Sequence, residues 1–304
     1  MALSQWLRDT VESLQRGDTG SLRDSMYQMY AGAWRRAGLI YNYGTPVYKH
    51  QWDLLVVLDA CRYDLLWEVV NEYSFLDRAI TDSVASATEE WIAKNFGTRY
   101  QQEVGETVYV TGNPHSAESE TEEFEHVEEV WSHSWDDDIG TVLAEDVTDH
   151  AIAAGRKMDP DRCIVHYMQP HHPFVPTPEL NKGIGFRDET EYKHIWEKLR
   201  QGNVSREDVW YGYCENLRYV LDSVAKLLEN YDAKRVLVTA DHGNALGEFG
   251  IYGHPLYVPI PALKRVPFCI TSATDTGVVD TDVELDVSGV NKTVSDRLAD
   301  LGYT

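Results

Sequence analysis

The segment Leu54-Leu55-Val56-Val57-Leu58 is apolar at every position and β-prone, with no alternation of polar and apolar residues. A strand of this kind must be covered on both faces, as a parallel strand inside an α/β sheet is. Similar runs recur at Thr107–Thr111, Cys163–Met168, Arg235–Thr239 and Val266–Thr271. Helical periodicity fills the intervals, over Leu65–Tyr73, Glu89–Phe96, Val142–Ala154 and Glu207–Asn230. Strands alternating with helices predict an α/β fold: a doubly wound, mostly parallel central sheet flanked by helices. No internal repeat and no Gly/Ser- or Pro-rich linker divides the chain, so residues 51–304 are expected to form one domain.

Residues 1–50 read as an N-terminal helical extension. Leu3, Trp6, Leu7, Val11 and Leu14 recur at helical spacing up to Gly17. A second helix is expected over Ser21–Ala37, where Met26, Met29, Tyr30 and Trp34 form a stripe suited to packing on the domain. Two stretches read as insertions. Ala117 to Asp138 is strongly acidic and reads as a solvated surface. Pro176 to Gly202 is polar and suits a surface loop near an active site.

Fifty acidic residues against 27 basic ones give a formal net charge of −23. Such a field opposes binding to nucleic acid and to anionic membrane surfaces. It fits either a halophilic protein that stays soluble at high salt, where self-repulsion is screened, or an ordinary acidic mesophilic protein. An anionic substrate would then need local positive charge, most simply a divalent metal. The four cysteines, Cys61, Cys163, Cys214 and Cys269, are scattered without a CxxC pair, which fits a reduced, cytoplasmic setting. The apolar run near the N-terminus is too short for a signal peptide, and no stretch is long enough for a membrane span.

In an open α/β sheet, ligands bind at the carboxyl ends of the strands. The run 54–58 leads straight into Asp59, and the run 235–239 leads through Ala240 into Asp241-His242-Gly243. Adjacent strand residues face opposite ways, so Asp241 and His242 can share a target only if the chain leaves strand geometry, which Gly243 permits. Two carboxylates and an imidazole make a mixed oxygen and nitrogen site suited to Mg²⁺, Mn²⁺, Ca²⁺ or Zn²⁺.

These elements also resemble a known family. Asp59-Ala60-Cys61-Arg62-Tyr63-Asp64 is similar to the first metal-binding element of the alkaline phosphatase/sulfatase superfamily. Thr239-Ala240-Asp241-His242-Gly243-Asn244, with Leu246-Gly247-Glu248 and Tyr252-Gly253-His254-Pro255, resembles the second. Met168-Gln169-Pro170-His171-His172-Pro173-Phe174 resembles the Pro-His-x-Pro segment of sulfatases. Val266-Pro267-Phe268 is similar to the strand that follows, and Leu298 to Tyr303 to the closing helix. The order of elements over residues 52–304 is the family order. The sequence departs from the family in lacking the Cys-x-Pro-Ser-Arg signature whose Cys becomes formylglycine.

The resemblance implies an alkaline-phosphatase-like fold, a divalent metal, and a sulfuric or phosphoric ester hydrolase acting on a small-molecule or glycan ester. Asp59, Asp241 and His242 would be metal ligands. The nucleophile would lie in Ser83 to Ile92, with Thr88 aligned to it and also touching the metal, and Ser86 the competing hydroxyl. Ser86 with Glu89 is also a capping-box pattern that needs no catalysis. His171 would contact the ester oxyanion or protonate the leaving group, with His172 its neighbour or its replacement. His254 would touch substrate or a second metal, and Arg62 would neutralise substrate charge or simply pair with Asp64. Thr111-Gly112-Asn113-Pro114-His115 would line the site. A phosphodiesterase, phosphomutase or phospho-group transferase on the same scaffold, or a non-catalytic metal-binding homologue, are the alternatives.

Overall fold

A computed structural model describes residues 19–118, 123–180, 194–281 and 283–285. The expected helix over residues 3–14, Gly17 and the closing segment 298–303 lie outside the described residues. So do parts of both insertions.

Strands β1 (Leu54–Leu58), β2 (Thr107–Thr111), β3 (His126–Glu129), β4 (Arg162–Tyr167), β5 (Ala233–Thr239) and β6 (Cys269–Ala273) form one six-stranded sheet. Its order is β6-β5-β1-β4-β2-β3. Every neighbouring pair is parallel except β6 with β5. The longer helices among the described residues are α1 (Thr19–Ile40), α2 (Tyr63–Val69), α3 (Thr88–Asn95), α4 (Ala144–Met158), α5 (Ile195–Gln201) and α6 (Arg206–Leu228).

The unbroken apolar run of β1 is explained by its place in the middle of this sheet, where all five residues are buried. Leu54, Val56 and Leu58 face a core shared with α2, α4 and α6. Leu55 and Val57 face the opposite core, with Trp91 and Ile92 of α3 and with Phe96 and Tyr109. Helices therefore cover both faces, as the doubly wound reading requires. Among the described residues no helix is long and apolar enough to cross a membrane.

Three details differ from the sequence expectation. The run Val266–Thr271 is divided: Arg265–Pro267 pairs antiparallel with Ile80–Asp82, and only Cys269–Ala273 joins the main sheet. Pro267 has no amide to continue a ladder, and the Phe268 amide bonds Ala79 O instead. The acidic stretch 117–138 is not merely a solvated surface, because it contains edge strand β3, with Glu128 fully buried. Within 176–202, residues 195–201 form α5. On α1 the aromatic stripe packs in part: Trp34 lies against Phe249 with ring centroids 5.9 Å apart, and Tyr30 donates to Phe249 O at 2.7 Å. Met26 and Met29 remain exposed.

Candidate active site

The carboxyl ends of β1, β5, β4 and β2 converge, and each ends near a polar group. Asp59 follows β1 directly. Ala60 then takes a left-handed conformation, φ 60°, unusual for a residue with a Cβ. That turn aims the Ala60 amide at Asp241, whose Oδ1 accepts from it at 2.9 Å. The Ala60 carbonyl accepts from Tyr213 on α6, which holds the turn in place.

Strand β5 ends at Thr239, so Asp241 and His242 lie beyond the ladder and are free to point the same way. Gly243 is needed here for a reason other than bending. Its φ is not in the left-handed range, but a Cβ on it would sit 2.4 Å from the Ala262 carbonyl oxygen. The Gly243 amide donates to Leu263 O at 2.7 Å, fixing that close approach.

Asp59, Asp241 and His242 are all fully buried and meet at one point. His242 Nε2 is 3.7 Å from Asp59 Oδ1 and 3.3 Å from Asp241 Oδ2. Its Nδ1 lies 2.9 Å from Gly243 O, which assigns the proton to Nδ1 and leaves the Nε2 lone pair facing the carboxylates. Thr88, the first residue of α3, brings its hydroxyl to the same point. Oγ1 donates to Asp241 Oδ2 at 2.7 Å and lies 3.2 Å from His242 Nε2. At a helix N-terminus the free first-turn amides and the macrodipole favour negative charge.

The electrostatics of this point call for a cation. Burial and the adjacent Asp241 charge push the Asp59 carboxyl well above the usual carboxylate range. Burial would raise Asp241 too, but the facing His242 and His166 and its bonds to Ala60 N and Thr88 hold it low. Asp59 Oδ1 is, moreover, a buried acceptor without a hydrogen-bond partner. A divalent cation at this point would favour ionisation of both carboxyls and use the orphaned oxygen. The donor set therefore fits a metal of the Zn²⁺, Mn²⁺ or Mg²⁺ kind.

Residues that sequence reasoning missed complete the centre. His166 on β4 has a ligand atom within 4.8 Å of those of Asp59 and Asp241. Its Nδ1 lies 2.9 Å from Tyr109 OH, and its buried Nε2 has no hydrogen-bond partner. The only sequence signal was an imidazole inside an apolar run. Asn113, within the segment expected to line the site, donates to Asp59 Oδ2 at 2.7 Å. Asn216 on α6 offers its amide to Pro170 O, His171 O and Pro173 O at 3.1, 2.9 and 3.2 Å, and so positions the Pro-His-His-Pro loop.

His171 and His254 face each other across 3.0 Å between their Nε2 atoms, and the His254 ring stacks on His242 with centroids 4.7 Å apart. Burial, reinforced by His242, pushes His171 down to about 3. Burial likewise holds His254 well below its ordinary value. Both rings are therefore neutral near pH 7. His171 Nδ1 lies 2.5 Å from His172 O, and the His172 ring turns away onto Phe174 at 5.3 Å.

Two of the expected residues are engaged elsewhere. Ser86 lies just before the helix, where Ala87 is the cap residue. Its hydroxyl bonds Glu90, not Glu89, at 2.9 Å, as well as Pro255 O and Val258 N at 3.0 Å each. These are structural ties to the 255–258 loop. Arg62 makes a two-point pair with Asp64 at 2.8 and 2.6 Å and also bonds Asn244 O and Glu248 at 2.8 and 2.9 Å. With its donors spent on protein groups, its placement is that of an internal tie, the Asp64 pairing among the two options the sequence left open.

Next to the centre opens a cavity of about 520 Å³. His254, His115 and Glu89 line it together with Tyr27 of α1, Trp196 of α5 and Tyr252. The N-terminal helix thus contributes to the approach to the site.

No family model matches the chain, and no curated protein matches it. Among solved structures it is similar to the soluble domain of lipooligosaccharide phosphoethanolamine transferase A from Neisseria meningitidis. That match has 15% identity over 71% of this chain and 75% of the other, with a TM-score of 0.46. A putative sulfatase from Bacteroides thetaiotaomicron is similar at 14% identity over 72% of this chain and 64% of the other, TM-score 0.42. A protein in the alkaline phosphatase superfamily from Vibrio parahaemolyticus is similar at 13% identity over 81% and 69%, TM-score 0.36.

Proposed function

We propose that this protein is a metal-dependent enzyme that attacks sulfate or phosphate esters with the Thr88 hydroxyl, and that it acts as a hydrolase. The observation that carries this reading is the placement of Thr88 Oγ1, 2.7 Å from Asp241 and 3.2 Å from His242 at a buried, cation-demanding point. Asp59, Asp241 and His242, with His166 and Thr88, would hold the metal. When bound, a divalent cation lowers the hydroxyl pKa and neutralises ester oxygens.

The chain's own residues supply the rest. Asp241 accepts the Thr88 proton through the hydrogen bond already made. The helix start beneath Thr88 favours both the alkoxide and an incoming anion. Asn113 orients Asp59, and the Tyr109 hydroxyl orients His166. Attack forms a bond from Thr88 Oγ1 to phosphorus or sulfur and breaks the bond to the leaving oxygen, which takes a proton from solvent and departs as an alcohol, while the proton held by Asp241 returns to Thr88 Oγ1 when water displaces it. His171 and His254, neutral and beside the centre, flank the ester. Their depressed pKa values disfavour a resting imidazolium as the proton source. Water then releases the group from Thr88. Transfer to another acceptor hydroxyl would use the same residues, and product analysis separates the two outcomes.

The test is a turnover assay with an aryl sulfate, a phosphate monoester and a phosphodiester, each with Mg²⁺, Mn²⁺, Ca²⁺ and Zn²⁺. Activity on at least one ester that needs added metal and vanishes in Asp241→Asn is expected. Inactivity of the metal-loaded protein on all of them, with and without an acceptor alcohol, would point to a non-catalytic metal-binding protein.

A further inference from the structure

A second group of metal-type ligands lies on the edge of the sheet, apart from the residues of the active centre. Strand alternation puts His126 and Glu128 on the same face of β3. The turn Val130–Ser132 folds the chain back so that His133 returns towards Glu128, and His150 reaches it from α4. Glu128 Oε1 lies 3.1 Å from His133 Nε2 and 2.9 Å from His150 Nδ1, and Oε2 lies 3.4 Å from His126 Nε2.

A carboxylate with no exposed side-chain surface, ringed by imidazoles, is costly unless it is paired. Burial works to raise the Glu128 carboxyl, but the imidazoles of His126, His133 and His150 facing it outweigh that effect and hold the group below the usual carboxylate range. Simple hydrogen bonding does not account for every contact. His150 Nδ1 is buried and 2.9 Å from the carboxylate oxygen, yet it makes no aligned hydrogen bond. Two ligand-type atoms at that separation are what a shared metal ion requires. Four ligands at about 2.0–2.1 Å in a tetrahedron stand about 3.3 Å from one another, close to the distances around Glu128. His133 Nδ1 lies 3.1 Å from Ser134 Oγ, a contact that can orient the ring with Nε2 towards Glu128.

We propose that Glu128, His133 and His150, with His126 beside them, form a second divalent-metal site of the zinc type that clamps edge strand β3 to α4. Imidazoles with a single carboxylate favour Zn²⁺, Co²⁺, Ni²⁺ or Cu²⁺ over Mg²⁺ and Ca²⁺. The site ties three segments of the chain, β3, the turn after it and α4. It is a structural centre, independent of the reading given to Thr88.

The experiment uses the full chain with Asp59→Asn and Asp241→Asn, which empty the active centre while keeping side-chain shape. Zn²⁺ is titrated calorimetrically into this protein after chelation, and bound metal is counted by atomic emission. One Zn²⁺ per chain is expected, with a melting temperature that rises on binding. His133→Ala, at a half-exposed position that should leave the fold intact, and Glu128→Gln, which keeps the side-chain shape, should each weaken that binding by about 100-fold or more. Circular dichroism identifies any variant that is unfolded. No Zn²⁺ bound by the folded Asp59→Asn, Asp241→Asn protein, or binding unchanged in folded His133→Ala and Glu128→Gln, overturns the proposal.

Discussion

The Thr88 hydroxyl donates to Asp241 Oδ2 across 2.7 Å, joining the first residue of α3 to a carboxylate two positions beyond the end of β5. Nothing in the local sequence of either segment demands this contact. It arises because α3 covers the face of the sheet where Trp91 and Ile92 pack, which sets its N-terminus over the strand ends.

Thr88 and Ser86 are separated by their partners, so their variants should behave differently. Thr88→Ala should lower turnover roughly a thousandfold or more, with little change in melting temperature. Ser86→Ala removes a hydroxyl that ties Glu90 to the 255–258 loop and should cost about 1–3 kcal/mol of stability. It should retain most of its turnover at a temperature where it is folded. Normal activity in Thr88→Ala together with an inactive, folded Ser86→Ala would assign the wrong hydroxyl.

Arg62 is expected to matter for stability and not for substrate charge. Arg62→Ala strips Asp64 and Glu248 of their shared partner and should destabilise by roughly 1–3 kcal/mol, because both carboxylates are partly exposed and Glu248 keeps Arg206. Its KM should stay near the native value. A tenfold rise in KM with an unchanged melting temperature would place Arg62 against the substrate after all.

Acid should destabilise the metal-free protein before ordinary carboxylates titrate. Burial depresses His166 to about 4 and His171 to about 3, against an unfolded value near 6.5. Below pH 6.5 the unfolded chain binds more protons than the folded one, so their contribution is complete above that pH and is lost as pH falls towards 4 and 3. At pH 5 the loss is on the order of 2 kcal/mol for each of the two rings. Asp59, raised in the folded state, works in the opposite direction as pH falls, but it is one group against these rings and His254. Melting curves of chelated protein at pH 7 and pH 5, at equal ionic strength, should show the lower midpoint at pH 5. A higher midpoint at pH 5 would mean that the buried imidazoles are charged in the folded protein.

Salt tests the reading of the net charge. If −23 is an adaptation to high salt, the melting temperature should climb steeply from dilute buffer to molar KCl, because screening relieves self-repulsion. A flat or falling curve over that range would make the charge a solubility feature of an ordinary acidic protein.

How much of this was legible depends on whether a residue's role is local. The run 54–58 announced a central parallel strand because burial on both faces leaves only apolar residues, and Asp59 stood out by ending it. Asp241 and His242 were legible in the same way. Strand β3 was not, since His126-Val127-Glu128-Glu129 carries no β-type apolar pattern and owes its burial to neighbours on β2 and α4. His166 was hidden because one imidazole in an apolar run usually packs as a core residue. Ser86 fitted a capping box with Glu89, and only the tertiary position of the 255–258 loop shows why Glu90 is its partner instead. Asn216 lies 43 to 46 residues from the carbonyls it holds, a separation that no local motif encodes.

The central claim is that Asp59, Asp241 and His242 bind one metal ion, and anomalous diffraction tests it most directly. Crystals of the full chain grown with Zn²⁺ or Mn²⁺ would be measured at the metal's absorption edge. The account predicts an anomalous peak within about 2.0–2.6 Å of side-chain atoms of all three residues, with Thr88 Oγ1 facing it. A well-diffracting, metal-loaded crystal with no peak there would contradict it.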